Sequence, residues 1–358
     1  MDEKNKGGFS AFLKRKDIEI SWKRYFIDAM GAMASGLFAS LLIGTILSTL
    51  GTQLGIGLLT EAGNYAKGVA GPAMAVAIAY ALKAPNLVLF SMLAVGSAAN
   101  TLGGAGGPLA VLIIAIIATE CGKMVSKETK VDILVTPLVS IGLGVILSIL
   151  LAPAIGSAAS SLGRLIMWAT ELHPFAMGML VSIIVGIALT LPISSAAICA
   201  ALSLTGLAGG AAVAGCCAQM VGFAFMSYKE NKVGGLISQG IGTSMLQMGN
   251  IVKNPKIWIP PILTSAITGP IATCIFKMQM NGEAISSGMG TCGLVGQIGV
   301  YTGWVNDIAA GTKTSITGLD WLGLILICFI LPAVLTTLFG LVLRKIGWIK
   351  EGDLTLSV

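Results

Sequence analysis

The sequence predicts an all-α membrane protein, a polytopic bundle of transmembrane helices. Of its 358 residues, 55% are hydrophobic and only 11% are charged, and the mean hydropathy is +0.89. Soluble domains carry about 25% charged residues. Long apolar runs recur along the whole chain, which is the pattern of membrane-crossing helices and not the short alternating pattern of a transmembrane β-barrel.

Basic residues mark the predicted cytoplasmic side. Seven of the 22 Lys and Arg residues lie within the first 24 positions, and others occupy the short loops 123–130 and 229–232. This distribution follows the positive-inside rule, so both termini are predicted to be cytoplasmic. The net charge of +6 is thereby explained, and no nucleic-acid partner is expected. The predicted parts are an interfacial segment (1–24), one transport domain (25–345) and a cytoplasmic tail (346–358).

The apolar runs predict about nine or ten crossings. A first span covers about 25–50, and an interfacial amphipathic piece covers 157–172. The long apolar region 173–232 holds one or three crossings, because two would place the basic loop at its end on the wrong side of the membrane. The other predicted spans are 69–82, 86–100, 109–121, 133–155, 257–276 and 321–343.

Two uncharged, glycine-rich stretches, 234–250 and 286–303, are too polar for ordinary spans. Exposed backbone polar groups are costly in lipid, so irregular segments survive there only when protein buries them or water lines them. Transporters use such segments to present amides to a solute near the midplane. The stretches are therefore predicted to be two re-entrant hairpins, the alternative being glycines that simply pack helices closely. Their candidate solute-binding residues are Gln239, Thr243, Gln247, Asn250, Thr291 and Gln297, and a third, weaker stretch, 96–108, adds Asn100.

Ionisable and polar groups beside the spans supply further candidates. Glu171 and His173 precede a full span, and a neutral His beside a carboxylate can shuttle a proton or bind a hydroxyl. Asn306 and Asp307 follow the second polar stretch and could close a binding site. For both pairs the alternative is an ordinary interfacial loop.

Cysteine and histidine usage argues against metal or redox chemistry. The seven cysteines fall mostly inside apolar runs and form no C-x-x-C pair, and His173 is the only histidine. No metal site, cofactor or catalytic residue is predicted, and neither a P-loop nor a nucleophile elbow is present in the sequence.

Three strings resemble the enzyme IIC membrane subunit of bacterial phosphotransferase-type sugar transporters, more closely the divergent branch that includes regulators of perfringolysin-type toxin expression. They are YFIDAMGAMASGLFASLLIGTIL (25–47), ELHPFAMGMLVSIIVGIALTLPISSAAI (171–198) and GIGTSMLQMGNI (240–251). The resemblance implies two re-entrant hairpins, a homodimer and elevator-like transport. It also implies a separately encoded IIB-like partner that phosphorylates the sugar. The family's Glu/His pair matches Glu171 and His173 loosely.

The sequence thus predicts transport of a small polar solute, a sugar or sugar-like compound, through a core site lined by the re-entrant segments. The alternative is a membrane sensor or regulator built on a transporter scaffold. A channel function is a further alternative. A membrane-embedded enzyme is disfavoured by the scarcity of paired carboxylates and metal ligands.

Overall fold

The computed structural model describes residues 11–356; residues 1–10 of the predicted interfacial segment and 357–358 of the predicted tail lie outside the described part. Helices dominate the described chain, and the single β-bridge there joins Gly206 to Met280. The helices are α1 Arg24–Leu54, α2 Gly57–Gly68, α3 Ala70–Ala81, α4 Asn86–Gly103, α5 Gly107–Val125, α6 Asp132–Thr170, α7 Pro174–Thr190, α8 Ser195–Ala201, α9 Gly206–Met226, α10 Tyr228–Ile237, α11 Met248–Lys253, α12 Pro255–Ile275, α13 Val295–Ala309 and α14 Gly318–Lys345.

The predicted fold class is confirmed. Six helical stretches of the described chain are long and apolar enough to cross a membrane, and α3 and α7 are shorter apolar helices. One of the six, Asn86–Val125, turns back at Gly104, whose φ of 50° ends α4. The packing of Asn100 against Gly107 shows that α4 and α5 are antiparallel neighbours, so the stretch 96–108 is the turn between two helices.

The chain forms two compact units. Of the described residues, unit 1 contains 11–41 and 68–156, and unit 2 contains 42–67 and 157–356. In unit 1, α3 and α4 touch through Gly71 and Gly96: a Cβ placed on either glycine would lie 2.4 or 2.3 Å from the carbonyl oxygen of the other. Such small-residue contacts let helices approach closely where lipid offers no hydrophobic driving force.

One end of unit 1 brings together the N-terminal segment, the α3–α4 turn and the 123–130 loop. Arg24 donates to Asp17 (3.1 Å) and to the carbonyl oxygen of Leu82 (2.9 Å), and the buried Lys123 ammonium donates to the same carbonyl. Arg15 pairs with Glu128 at 2.7 Å. The hydrogen bond from Arg24 lowers the pKa of Asp17. The N-terminal segment and the 123–130 loop, which the charge pattern assigns to one side of the membrane, therefore meet.

Helix α9 is the centre of unit 2. Nearly all of its residues from Gly209 to Met226 are buried. A Cβ on Gly215 would lie 1.9 Å from the carbonyl oxygen of Ser182 on α7, and one on Gly269 of α12 would lie 2.1 Å from that of Gly178. Helix α7 is thus held between α9 and α12 by glycine contacts on both sides.

The region 173–232 contains a feature that the sequence does not reveal. Thr273 donates to the carbonyl oxygen of Pro174 at the start of α7, and Ser287 donates to that of Leu204 after α8. Thr273 and Ser287 lie on either side of Met280 in the sequence, and Met280 forms the β-bridge with Gly206. Both ends of the segment 174–204 are therefore at the same end of unit 2, so the segment leaves that end and returns to it. We call it the α7–α8 hairpin; only α9 in this region is long enough to span.

The C-terminal tail, residues 346–356, is bound to unit 2 by a row of amide side chains. Asn231 and Gln247 donate to the carbonyl oxygen of Leu354, and Asn250 donates to that of Thr355, at 2.8–3.0 Å. The side chain of Leu354 is fully buried. The tail is therefore an integral part of unit 2, and the end of the unit where it binds is called the tail end below.

We predict that Gly215→Ala lowers the thermal stability of the detergent-purified protein. The added methyl group would overlap the α7 backbone, and overpacking of this kind costs about 1–3 kcal/mol. Gly142→Ala is the control, because a Cβ at Gly142 meets nothing within 4 Å. Equal melting temperatures for both variants would contradict the close α7–α9 contact.

We also predict that Asn250→Ala and Leu354→Ala loosen residues 238–248. Asn250→Ala removes the hydrogen bonds that join Gln247 to the tail through Asn250. Leu354→Ala truncates the buried side chain that fixes the tail, which costs about 2–5 kcal/mol. Thr355→Ala is the control, since Thr355 takes part through its backbone oxygen. Hydrogen–deuterium exchange should rise in 238–248 for the first two variants; unchanged exchange would show that the tail does not hold this segment.

Candidate functional site

The first polar stretch lies in a folded-back segment, hairpin 1, residues 228–254. After α10 the chain forms a π-helical turn (Ser238–Gly242), an extended residue (Thr243) and a 3-10 turn (Ser244–Gln247) before α11. Both limbs contact the tail, through Asn231 on one side and Asn250 on the other. Hairpin 1 therefore begins and ends at the tail end of unit 2.

The second polar stretch lies in hairpin 2, residues 281–309. A Cβ on Gly282 would lie 2.4 Å from the carbonyl oxygen of Gly299, and one on Gly303 would lie 2.7 Å from the backbone nitrogen of Asn281. The two limbs are therefore antiparallel and closely packed. The backbone of the turn is left-handed at Gly290, Gly293 and Leu294. Two of these three residues are glycines, the residue type that adopts this conformation readily. Hairpin 2 begins and ends at the end of unit 2 opposite to the tail.

The tips of the two hairpins meet against α9. The π-helical turn of hairpin 1 lies beside the 3-10 turn Cys292–Leu294 of hairpin 2. Gly290 abuts Cys216, and Thr291 donates to the sulfur of Met220 at 3.6 Å. The two predicted segments thus contain irregular, buried backbone and are adjacent to each other.

A cluster of uncharged polar side chains, the central cluster, joins hairpin 1 to α7, α9 and α12. It consists of Thr190, Gln219, Ser244 and Trp258. The hydroxyls of Thr190 and Ser244 are 2.8 Å apart, and Thr190 donates to Oε1 of Gln219 at 3.2 Å. The indole nitrogen of Trp258 donates to the same oxygen at 2.9 Å. Ser244 and Gln219 are fully buried.

Two buried amides around α9 have unused hydrogen-bonding atoms. Nε2 of Gln219 and Oε1 of Gln297 have no hydrogen-bond partner among the described residues. Gln297 uses its Nε2 only toward the sulfur of Cys217, at 3.2 Å. A buried amide atom left unpaired costs about 1–3 kcal/mol, so a bound molecule that satisfied these atoms would be stabilised by them.

Four other predicted binding residues are engaged by the protein itself. Gln239 donates to Ser227 and accepts from Gln247, and Gln247 accepts from Asn250, with distances of 2.8–2.9 Å. The remaining donors of Gln247 and Asn250 bind the tail. Thr243 accepts from the backbone nitrogen of Met245 at 3.1 Å and caps the 3-10 turn. These residues shape hairpin 1 and connect it to the tail.

The other predicted residues occupy different places. Asn306 is exposed on α13, whereas Asp307 accepts two hydrogen bonds from Asn281 at the base of hairpin 2. Glu171 and His173 are exposed, and Nδ1 of His173 accepts from the Ala176 amide and caps α7. Asn100 belongs to unit 1, while the other predicted residues belong to unit 2.

Sequence reasoning missed most of the central cluster. Gln219 is a lone amide inside an otherwise apolar helix, which is the signal that could have identified it, because polar groups within spans are expensive and mark functional sites. Trp258 lies at the start of the predicted span 257–276, where a tryptophan ordinarily anchors a helix at the interface, but its indole hydrogen bond goes to Gln219. Thr190 precedes the Leu-Pro break of the α7–α8 hairpin.

Comparison with known proteins gives one match. A search of curated proteins and a search of solved structures returned no match. A family model described as "Phosphotransferase system, EIIC" matches residues 27–356, which is nearly the whole chain. With its apolar helices and its match over both units, the chain belongs to the enzyme IIC family of multi-pass membrane components of the phosphotransferase system.

Proposed function

We propose that this protein carries a small, uncharged polar solute, a sugar or polyol, across the membrane through unit 2. The observation that carries the proposal is the meeting of two buried, irregular hairpins at α9, beside amides with unpaired atoms. Irregular backbone at membrane depth is tolerated where it is buried in protein or lines a polar cavity, and transporters place their solutes at such points.

The chemistry of the central cluster favours a neutral solute. Its members are two hydroxyls, an amide and an indole, and no ionisable side chain belongs to it. A free amide donor on Gln219 and a free amide acceptor on Gln297 suit hydroxyl groups, because a hydroxyl both donates and accepts. An ion would lack a compensating charge in this environment.

The mechanism and the partners in the proposal rest on the resemblance to the enzyme IIC family. In the proposal, both hairpins re-enter the bilayer from opposite faces, and unit 2, which contains both, is the part that moves in an elevator-like cycle. The protein works as a homodimer, and a separately encoded phosphoryl-carrying IIB-like protein is its partner.

The proposed orientation places the tail end of unit 2 in the cytoplasm. The positive-inside rule supports it, because basic residues concentrate there and not at the opposite end. At the tail end lie Lys229, Lys232, Lys253, Lys256, Arg344, Lys345 and Lys350.

We expect Gln297→Met to reduce sugar or polyol uptake into proteoliposomes about tenfold. A change of this size corresponds to the loss of roughly one hydrogen bond between the protein and the solute. Stability should not fall, because the variant also removes a buried acceptor that has no partner. Val305→Met, at an exposed position of the same helix, is the control and should transport normally. If the wild-type protein, supplied with its phosphoryl-carrying partner, transports no neutral solute while its deletion alters gene expression, the sensor function replaces this proposal.

Thiol labelling tests the orientation. In a cysteine-free background, Ser315→Cys should react with a membrane-impermeant maleimide in intact cells, and Lys350→Cys should react only after the membrane is opened. Both positions are exposed, so accessibility is set by the side of the membrane. The reverse pattern would invert the orientation, and the unsubstituted cysteine-free protein is the control.

A further inference from the structure

A second polar site exists at the base of hairpin 2, apart from the central cluster. It is a cavity of about 390 Å³, within the size range of small-molecule sites. Its polar wall comes from both limbs of hairpin 2 and from the segment leading into α14. The lining residues that carry a charge or an amide are Lys277, Gln279, Asn281, Asp307, Lys313 and Asp320.

The polar groups on the hairpin side are held in place by one amide. Nδ2 of Asn281 donates to Asp307 at 2.9 and 3.1 Å and to Oε1 of Gln279 at 3.0 Å. The backbone oxygen of Asp307 accepts from the Thr312 hydroxyl at 2.9 Å, which fixes the loop after α13. Since Asn281 lies on one limb and Asp307 on the other, the group bridges the base of the hairpin. The carboxylate keeps lone pairs for a ligand, and the Gln279 amide keeps its donors.

The charges of the cavity balance. Two ammonium groups, Lys277 and Lys313, face two carboxylates, Asp307 and Asp320, and Lys313 pairs with Asp320 at 2.8 Å. An anion would therefore meet two carboxylates and a cation two ammonium groups. Interspersed donors and acceptors with no net charge suit hydroxyl groups, which use both.

An aromatic side chain forms part of the wall. Trp304 lines the cavity and is otherwise buried, and its ring packs edge-on against Trp321 at 5.4 Å between centroids. A fixed indole offers an apolar surface beside the polar groups, which suits the C–H face of a polyhydroxylated molecule.

We propose that this cavity is a second binding site for an uncharged polyhydroxylated solute, a hexose or hexitol, held by Asp307, Asn281 and Gln279 against Trp304. The choice of ligand class rests in part on the proposed transport function, but binding here is measurable without transport. The site belongs to the base of hairpin 2, whereas Thr291 and Gln297 belong to its buried tip region, so the two sites are separable by mutation.

The test is equilibrium binding of hexoses and hexitols to the purified full chain, followed by tryptophan fluorescence and by calorimetry. We expect saturable binding at millimolar concentration, weakened at least about tenfold by Asp307→Ala through loss of charge-assisted hydrogen bonds. Gln279→Trp, which fills the cavity, should abolish this binding even if Asp307→Ala disturbs the loop. Trp304→Phe should remove the fluorescence response and leave the calorimetric signal of binding measurable.

Matched controls separate this proposal from the transport proposal. Glu283→Ala removes a carboxylate from the same hairpin outside the cavity and should bind normally. Gln297→Met should retain binding at the cavity while its transport falls about tenfold. Binding that Gln279→Trp and Asp307→Ala leave intact, or preferential binding of inorganic phosphate, would overturn the second site without touching the transport proposal. Binding at the cavity by a protein that transports no solute would overturn the transport proposal and leave the second site intact.

Discussion

The structure of unit 2 depends on burying irregular backbone against a single helix. A non-helical segment in an apolar medium must satisfy its polar groups inside the protein, and this requires close contact on every side. Helix α9 provides that contact through small residues: Gly210 meets the carbonyl oxygen of Met278, Gly215 meets α7, and Cys216 meets Gly290 of hairpin 2. A larger side chain at these positions would hold the hairpins away from α9 and leave gaps at their tips. The glycines that make the sequence look flexible thus produce a tightly packed interior.

The amides of hairpin 1 show how one residue type serves two purposes. Gln239, Gln247 and Asn250 are buried and linked in a chain, and their far end binds the backbone of the tail. Such a chain replaces the helix hydrogen bonds that the hairpin lacks. It also connects the buried part of the hairpin to the last residues of the protein, so the position of the tail and the conformation of the hairpin are mechanically coupled. Buried polar networks of this kind rigidify a structure when every member is satisfied.

Much of this architecture could be predicted from the sequence, and its limits have physical reasons. The turn at Gly104 was predictable because glycines and a proline interrupt an apolar run. The two polar stretches were identified because uncharged amides are conspicuous there, but composition does not say which way an amide points. Hence Gln247 turned out to bind the tail and Asn306 to face outward. The α7–α8 hairpin escaped notice because its limbs are as apolar as true spans. Gln219 was missed because one amide barely changes the hydropathy of α9.

The placement of charge distinguishes the two polar regions of unit 2 and suggests why they differ. The central cluster has no ionisable member and leaves Nε2 of Gln219 unpaired, so an empty site there is costly and a filled one is favoured. In the cavity at the base of hairpin 2, Lys313 pairs with Asp320 and Asp307 accepts from Asn281, so these charged groups have partners when the cavity is empty and ligand exchange carries little penalty. A solute that moves from this cavity to the central cluster exchanges weak hydroxyl contacts for a contact with a group that has no other partner. Under the proposed function, that difference in free energy draws the solute from the base of hairpin 2 toward the central cluster.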